Sequence, residues 1–148
     1  MVKIVSNKHY CVMKKHFIIF LMTLGLQSCV GAQKDSEIFT IYLVRHSEKE
    51  LTSSNHSDPP LSKCGEQRSE GLSSFLRDVN LDVIYSSDYI RTKSTALPTA
   101  LSKGLEISEY NPQELEDFSK LLIDSKQDAL VVGHSNTVLK MEKLWMQL

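Results

Sequence analysis

The chain has 148 residues, 41% of them hydrophobic and 24% charged, with a formal net charge of -1. That is enough chain for one domain and too little for two, and the composition excludes collagen-like, disulfide-dense and long disordered classes. The charge is uneven: residues 1–28 carry four lysines and no acid, whereas the remainder carries 13 Lys+Arg against 18 Asp+Glu. An acidic body offers no basic face to release counterions from a phosphate backbone, so no nucleic-acid partner is expected. An anionic ligand would need a local pocket of positive charge.

Lys14-Lys15-His16 precede an apolar run from Phe17 to Leu26, in which Thr23 is the one polar side chain. A basic segment, an apolar segment and then small residues around Ser28-Cys29 make residues 1–28 a secretory signal peptide. The run is too short to cross a bilayer, which takes about 20 apolar residues. Leu26-Gln27-Ser28-Cys29 resembles a bacterial lipobox, whose cysteine becomes the lipidated first residue of the mature chain; simple secretion is the alternative. Met13, directly before the Lys-Lys pair, reads as the start, which leaves 1–12 as an untranslated upstream extension. Cys11, Cys29 and Cys64 form no CxxC pair, so neither a zinc site nor a redox dithiol is expected.

Residues 29–37 form a short tether, and 38–148 the domain. Ile38–Val44 is a nearly continuous β-branched run, as in a strand covered on both faces. After a polar loop ending in Asp58-Pro59-Pro60, Ser62 caps a helix to about Asp78 with Leu72, Phe75, Leu76 and Val79 inward. A strand follows at Val83–Tyr85. Ser86-Ser87-Asp88 offers N-cap chemistry to a helix over Tyr89–Lys103, with Ala96, Leu97, Ala100 and Leu101 inward. Gly104 stops that helix, Leu105–Ile107 reads as a minor edge strand, and Pro112 opens a helix over 112–126. Ala129–Gly133 is a second buried strand. From Asn136 the chain is helical, with Val138, Met141, Leu144, Trp145 and Leu148 on one face. The alternation predicts an α/β three-layer sandwich with a mainly parallel sheet and helices on both faces.

Two histidines close the two best strands: His46 after Val44-Arg45 and His134 after Val132-Gly133. Open α/β sheets bind ligands beyond the carboxyl ends of their strands. Arg91 lies in the first turn of the helix after Val83–Tyr85, where free N–H groups and a guanidinium fork suit phosphate oxygens. Singly, each of these reads more readily as a loop or helix-surface residue than as a catalytic one. Jointly, Arg45, Arg91 and the two histidines suggest one small anion pocket.

The segment Tyr42-Leu43-Val44-Arg45-His46-Ser47-Glu48-Lys49 resembles the signature of the histidine phosphatase superfamily, the phosphoglycerate-mutase-like fold. So do Pro60 to Arg68, Tyr85 to Ala96, and Val131-Val132-Gly133-His134-Ser135, in the right order. The resemblance implies that His46 is the nucleophile, that Arg45 and Arg91 bind the phosphoryl group, and that His134 completes the pocket. It departs from the family's usual Arg-His-Gly in having Ser47, and the chain stops 14 residues after His134, which reads as a C-terminal truncation.

On this reading the protein is a metal-independent phosphohydrolase without cofactor, because two guanidinium groups supply the charge that Mg²⁺ provides elsewhere. It would act on phosphomonoesters or phosphoproteins through a phosphohistidine on His46. Glu48 is the first choice for the leaving-group proton, ahead of Asp58, Glu109 and Glu114, and Ser135 offers a backbone N–H to phosphate. A non-catalytic phosphate-ligand binder of the same fold is the alternative. A monomer is expected, held by a lipid on Cys29 to a bacterial envelope membrane facing the periplasm or exterior.

Overall fold

A computed structural model describes residues 2–5, as backbone, and 38–146. The leader from residue 6, the lipobox cysteine Cys29 and the tether lie outside the described residues, as does Leu148. In chain order the elements are β1 (Val2–Val5), β2 (Thr40–Arg45), α1 (Lys63–Phe75), β3 (Val83–Ser87), α2 (Ile90–Lys103), β4 (Ile107–Tyr110), α3 (Leu115–Ser125), β5 (Ala129–Gly133) and α4 (Ser135–Trp145). The sheet order is β1-β2-β5-β3-β4, with β2, β5, β3 and β4 parallel and β1 antiparallel at the edge. Residues 2–5 fall within the stretch that the sequence marks as an upstream extension; here they pair with Thr40–Leu43.

Side chains of a strand alternate between faces, and that alternation divides the core in two. Ile41, Leu43, Ala129 and Val131 pack with Leu115, Phe118 and Leu122 of α3 and Met141 of α4. Tyr42, Leu130, Val132 and Ile84 point the other way, onto Leu76 beyond α1 and Ala96 and Ala100 of α2. The result is a sheet with a helix pair on each face, as the strand–helix alternation predicts. All five residues of β5 are buried, the expected state of a strand covered on both sides. Burying a side chain such as Leu43 or Leu130 completely is worth about 1.5–3 kcal/mol.

The inward faces of α1 and α2 differ from the hydrophobic periodicity. Phe75 is 66% exposed, Leu97 47% and Leu101 74%, whereas Gly65, Ser69 and Ser73 of α1 and Thr92, Thr95 and Thr99 of α2 are buried. Small residues let the two helices approach closely, and most of their hydroxyls find local acceptors. Ser73 Oγ donates to the Pro98 carbonyl (3.1 Å), and Thr95 Oγ1 to the Arg91 carbonyl (2.7 Å). The bulkier apolar side chains are left on the outer flanks.

Other boundaries shift with identifiable causes. Ser62 caps α1 as predicted, its Oγ accepting from the Gly65 N–H (3.2 Å). The N-terminus of α2 is not capped by Ser86, Ser87 or Asp88: the helix starts at Ile90, whose N–H donates to the Asp58 carboxylate of the distant 47–60 loop (2.9 and 3.1 Å). The edge strand falls at Ile107–Tyr110, later than Leu105–Ile107, because that register pairs Ile107 with Ile84. α3 begins at Leu115, past Pro112.

Gly65 is where α1 touches the loop carrying His46. Its neighbour is the Glu48 carbonyl, which a Cβ at this position would strike, and the Ser62 N–H donates to that same oxygen (2.8 Å). The obstacle is backbone and cannot rotate away. Gly65→Ala is therefore expected to lower stability by about 1–3 kcal/mol, the range for overpacking. Urea unfolding checks this; a midpoint equal to that of the parent would show that the loop does not rest on α1.

Candidate active site

Adjacent parallel strands with matched ends deliver their next residues to one place. Arg45 of β2 lies opposite Gly133 of β5, and the His46 N–H extends the ladder to the Gly133 carbonyl (2.9 Å). His46 and His134 consequently stand side by side, ring centroids 5.3 Å apart and planes inclined at 72°. Gly133 is required at this junction, since a Cβ there would meet the Tyr110 hydroxyl and the Thr137 side chain.

The His46 ring is oriented from behind. Its Nδ1 lies 2.7 Å from the Ser47 carbonyl, which can only accept; Nδ1 therefore carries the proton and the lone pair is left on Nε2. Ser47, itself buried, is fixed by its N–H donating to Thr95 Oγ1 of α2 (2.9 Å). The serine in place of the family's usual glycine is thus accommodated under the helix. His134 Nε2 faces Ser87 Oγ at 3.4 Å, and Ser87 Oγ donates to Thr92 Oγ1 (3.2 Å).

Arg91, at the first turn of α2, has a side chain only 13% exposed and directs Nη1 to the Asp58 carboxylate (2.9 Å). Asp58 thereby joins the loop, the helix N-terminus and Arg91. Arg45 is exposed at the end of β2. Ser135 is exposed as the first residue of α4, next to His134. Glu48 is turned to Arg68 of α1 (2.9 Å), and Glu109 to Lys93 (2.5 Å). Glu114 occupies the N-cap position of α3 without a capping bond from its side chain. A cleft of about 990 Å³ opens beside His46, lined by Val44 to Leu51 with Ser62, Arg68, Gly71, Leu72 and Phe75. Among the described residues, no three His, Cys, Asp or Glu side chains gather as metal ligands, and no helix is long and apolar enough to cross a membrane.

Both imidazoles are pushed toward the neutral form. His46 falls below its ordinary 6.5 first through burial and then through the charges of Arg91, Arg45 and Lys49, against the opposing hydrogen bond to Ser47. His134 is lowered to about 4 by burial, then by Arg91, His46 and Arg45, with Asp58 opposing. A neutral imidazole pair among cations leaves room for a ligand's negative charge. An NMR titration of the ligand-free protein is expected to give His134 a midpoint near 4 and His46 one below 6.5. Midpoints at or above 6.5 would contradict this electrostatic picture. Because the unfolded chain takes up the His134 proton at higher pH than the folded one, the stability this group confers is lost as pH falls from 6.5 toward 4.

Paired imidazoles and arginines stand at the carboxyl edge of the parallel sheet of a phosphoglycerate-mutase-like α/β fold. The family model for the histidine phosphatase superfamily (branch 1) matches residues 41–119, just over half the chain. The chain belongs to that superfamily. Phosphoserine phosphatase 1 of Hydrogenobacter thermophilus is 41% identical over 71 residues, 45% of this chain; the match spans only 34% of that relative's length. The solved structure of the phosphohistidine phosphatase SixA from Agrobacterium tumefaciens superposes with a TM-score of 0.57 at 22% identity, covering 66% of this chain and 70% of that one. A mycobacterial glucosyl-3-phosphoglycerate phosphatase superposes at 0.61 and 13% identity, covering 72% and 78%. At these identities the superpositions speak for the fold.

Proposed function

We propose that the domain is a phosphohydrolase that cleaves phosphomonoesters or phosphoproteins through a phosphohistidine on His46. The observation that carries this reading is the His46 tautomer: Nδ1 is tied to the Ser47 carbonyl, which leaves the free lone pair on Nε2 of a ring that stands beside His134. The phosphoryl dianion is held by Arg45 and Arg91, with Ser135 offering a backbone N–H. Nε2 attacks phosphorus in line as the bond to the leaving oxygen breaks, and His134 donates a hydrogen bond to a phosphoryl oxygen as charge develops. Water then attacks phosphorus, the P–N bond breaks, and phosphate leaves with His46 restored. Glu48, on the wall of the flanking cleft, is assigned the leaving-group proton; to act it must exchange its exposed contact with Arg68 for the substrate. Exposed ion pairs of this kind contribute about 0–1 kcal/mol, so that exchange costs little.

The open cleft beside the pocket favours substrates whose leaving group projects outward, such as a phosphorylated side chain or a small phosphomonoester. Proteins carrying phosphohistidine, the substrate class named for SixA, and phosphoserine, named for the Hydrogenobacter relative, are the first to try. Turnover of p-nitrophenyl phosphate in the presence of EDTA is expected to be abolished in His46→Ala and reduced about a hundred- to a thousandfold in His134→Ala. Turnover indistinguishable between the parent and His46→Ala would leave a phosphate binder without catalysis. Glu48→Gln is expected to slow alkyl phosphates strongly and p-nitrophenyl phosphate little, since nitrophenolate departs without a proton. Equal slowing of both would remove Glu48 from the donor role.

We also infer a lipid anchor on Cys29 to a bacterial envelope membrane, supported by the Lys14-Lys15 pair, the apolar Phe17–Leu26 run and the lipobox-like Leu26–Cys29. Metabolic labelling with a fatty acid should be lost in Cys29→Ala; persistence of the label would refute the anchor.

A further inference from the structure

Tyr89 lies between β3 and α2, at the N-cap position of the helix, and touches two residues of the proposed phosphoryl pocket at once. The Arg91 guanidinium sits over its ring face, Cζ 4.5 Å from the centroid. The His134 ring meets it edge to face, centroids 4.8 Å apart and planes at 89°. The tyrosine itself has little freedom. Its N–H donates to the Ser87 carbonyl (2.8 Å), and its own carbonyl accepts from the Lys93 N–H (3.0 Å) and from Thr92 Oγ1 (2.9 Å). Arg91 is held in addition by Asp58 at Nη1, and His134 by the 3.4 Å approach of Ser87 Oγ and the neighbouring His46 ring.

We propose that Tyr89 is a positioning residue of the phosphoryl pocket, whose ring holds the Arg91 guanidinium on its face and shields the His134 imidazole from water. The proposal rests on the phosphohydrolase reading of the same pocket. An aromatic face attracts a guanidinium through its quadrupole, and the attraction grows where water is excluded. Fixed between that face and the Asp58 carboxylate, the guanidinium keeps its remaining N–H groups in one plane for the phosphoryl oxygens. The same ring covers part of His134, for which burial is the largest of the effects that keep it neutral. The charged or titratable groups acting on that imidazole are Arg91, His46 and Arg45, which disfavour its protonation, and Asp58, which favours it.

The test compares Tyr89→Phe, which keeps the ring, with Tyr89→Leu, which keeps bulk and loses it. Three quantities are measured in the full chain: the NMR titration midpoint of His134, the dissociation constant for orthovanadate by calorimetry, and kcat and KM for p-nitrophenyl phosphate. Tyr89→Leu is expected to move the His134 midpoint up from about 4 toward 6.5, and to weaken vanadate binding and raise KM on the order of tenfold. Tyr89→Phe should match the parent in all three. A His134 midpoint and vanadate affinity unchanged in Tyr89→Leu would overturn the proposal, as would equal damage in Tyr89→Phe. If Tyr89→Leu melts below the assay temperature, Tyr89→Met carries the same comparison. The titration is read in the resting protein, so absence of turnover or of vanadate binding in the parent would undo the phosphohydrolase reading and still leave the role of Tyr89 to be decided by the His134 midpoint.

Discussion

The parallel pairing of β2 with β5, in the register that sets Arg45 opposite Gly133, sets His46 and His134 side by side. Neither histidine is held chiefly by its own loop. Each is the first residue past a strand locked on both faces by apolar packing, so the 5.3 Å separation of the rings follows from strand spacing and common strand ends. A slip of one residue would exchange the two faces of a strand and remove Leu43 or Val131 from the core beneath α3 and α4. Core packing and site geometry are therefore one constraint.

The helices complete what the strands begin. α2 contributes Arg91 from its first turn, Thr95 to fix Ser47, and the N–H of Ile90, which is tied to the same Asp58 carboxylate as Arg91. The closeness of α1 and α2 depends on Gly65, Ser69, Ser73 and the buried threonines. On the opposite face, Tyr110 stacks on Phe118 at 4.3 Å, and its hydroxyl reaches the Val132 carbonyl just ahead of Gly133. The two imidazoles, partly buried among Arg45, Arg91 and Lys49, are thereby biased toward neutrality.

The strands and the two histidines were legible because a strand buried on both faces is written as an unbroken apolar run, and the break in that run marks where side chains leave the core. The inward faces of α1 and α2 were not. A seam of Ser, Thr and Gly carries no hydrophobic signal, and Leu97 and Leu101 sit on a flank that periodicity alone assigns to the core. Asp58 and Arg91 are 33 positions apart with no local pattern linking them, so a residue that reads as a loop acid turns out to cap a helix. The edge strand β1 is likewise separated from β2 by a long stretch of chain. Tyr89 could be read only as a helix start, since its contacts with Arg91 and His134 exist only once β3 and β5 are neighbours.

The proposed chemistry turns on His46 Nε2 forming a bond to phosphorus. Rapid quenching of the protein with a phosphomonoester into denaturant, followed by intact mass and peptide mapping, tests it directly. The prediction is a single phosphoryl adduct, labile in acid and stable in alkali, on the peptide containing His46 and absent from His46→Ala. An adduct on another residue, or turnover that survives in His46→Ala, would contradict it.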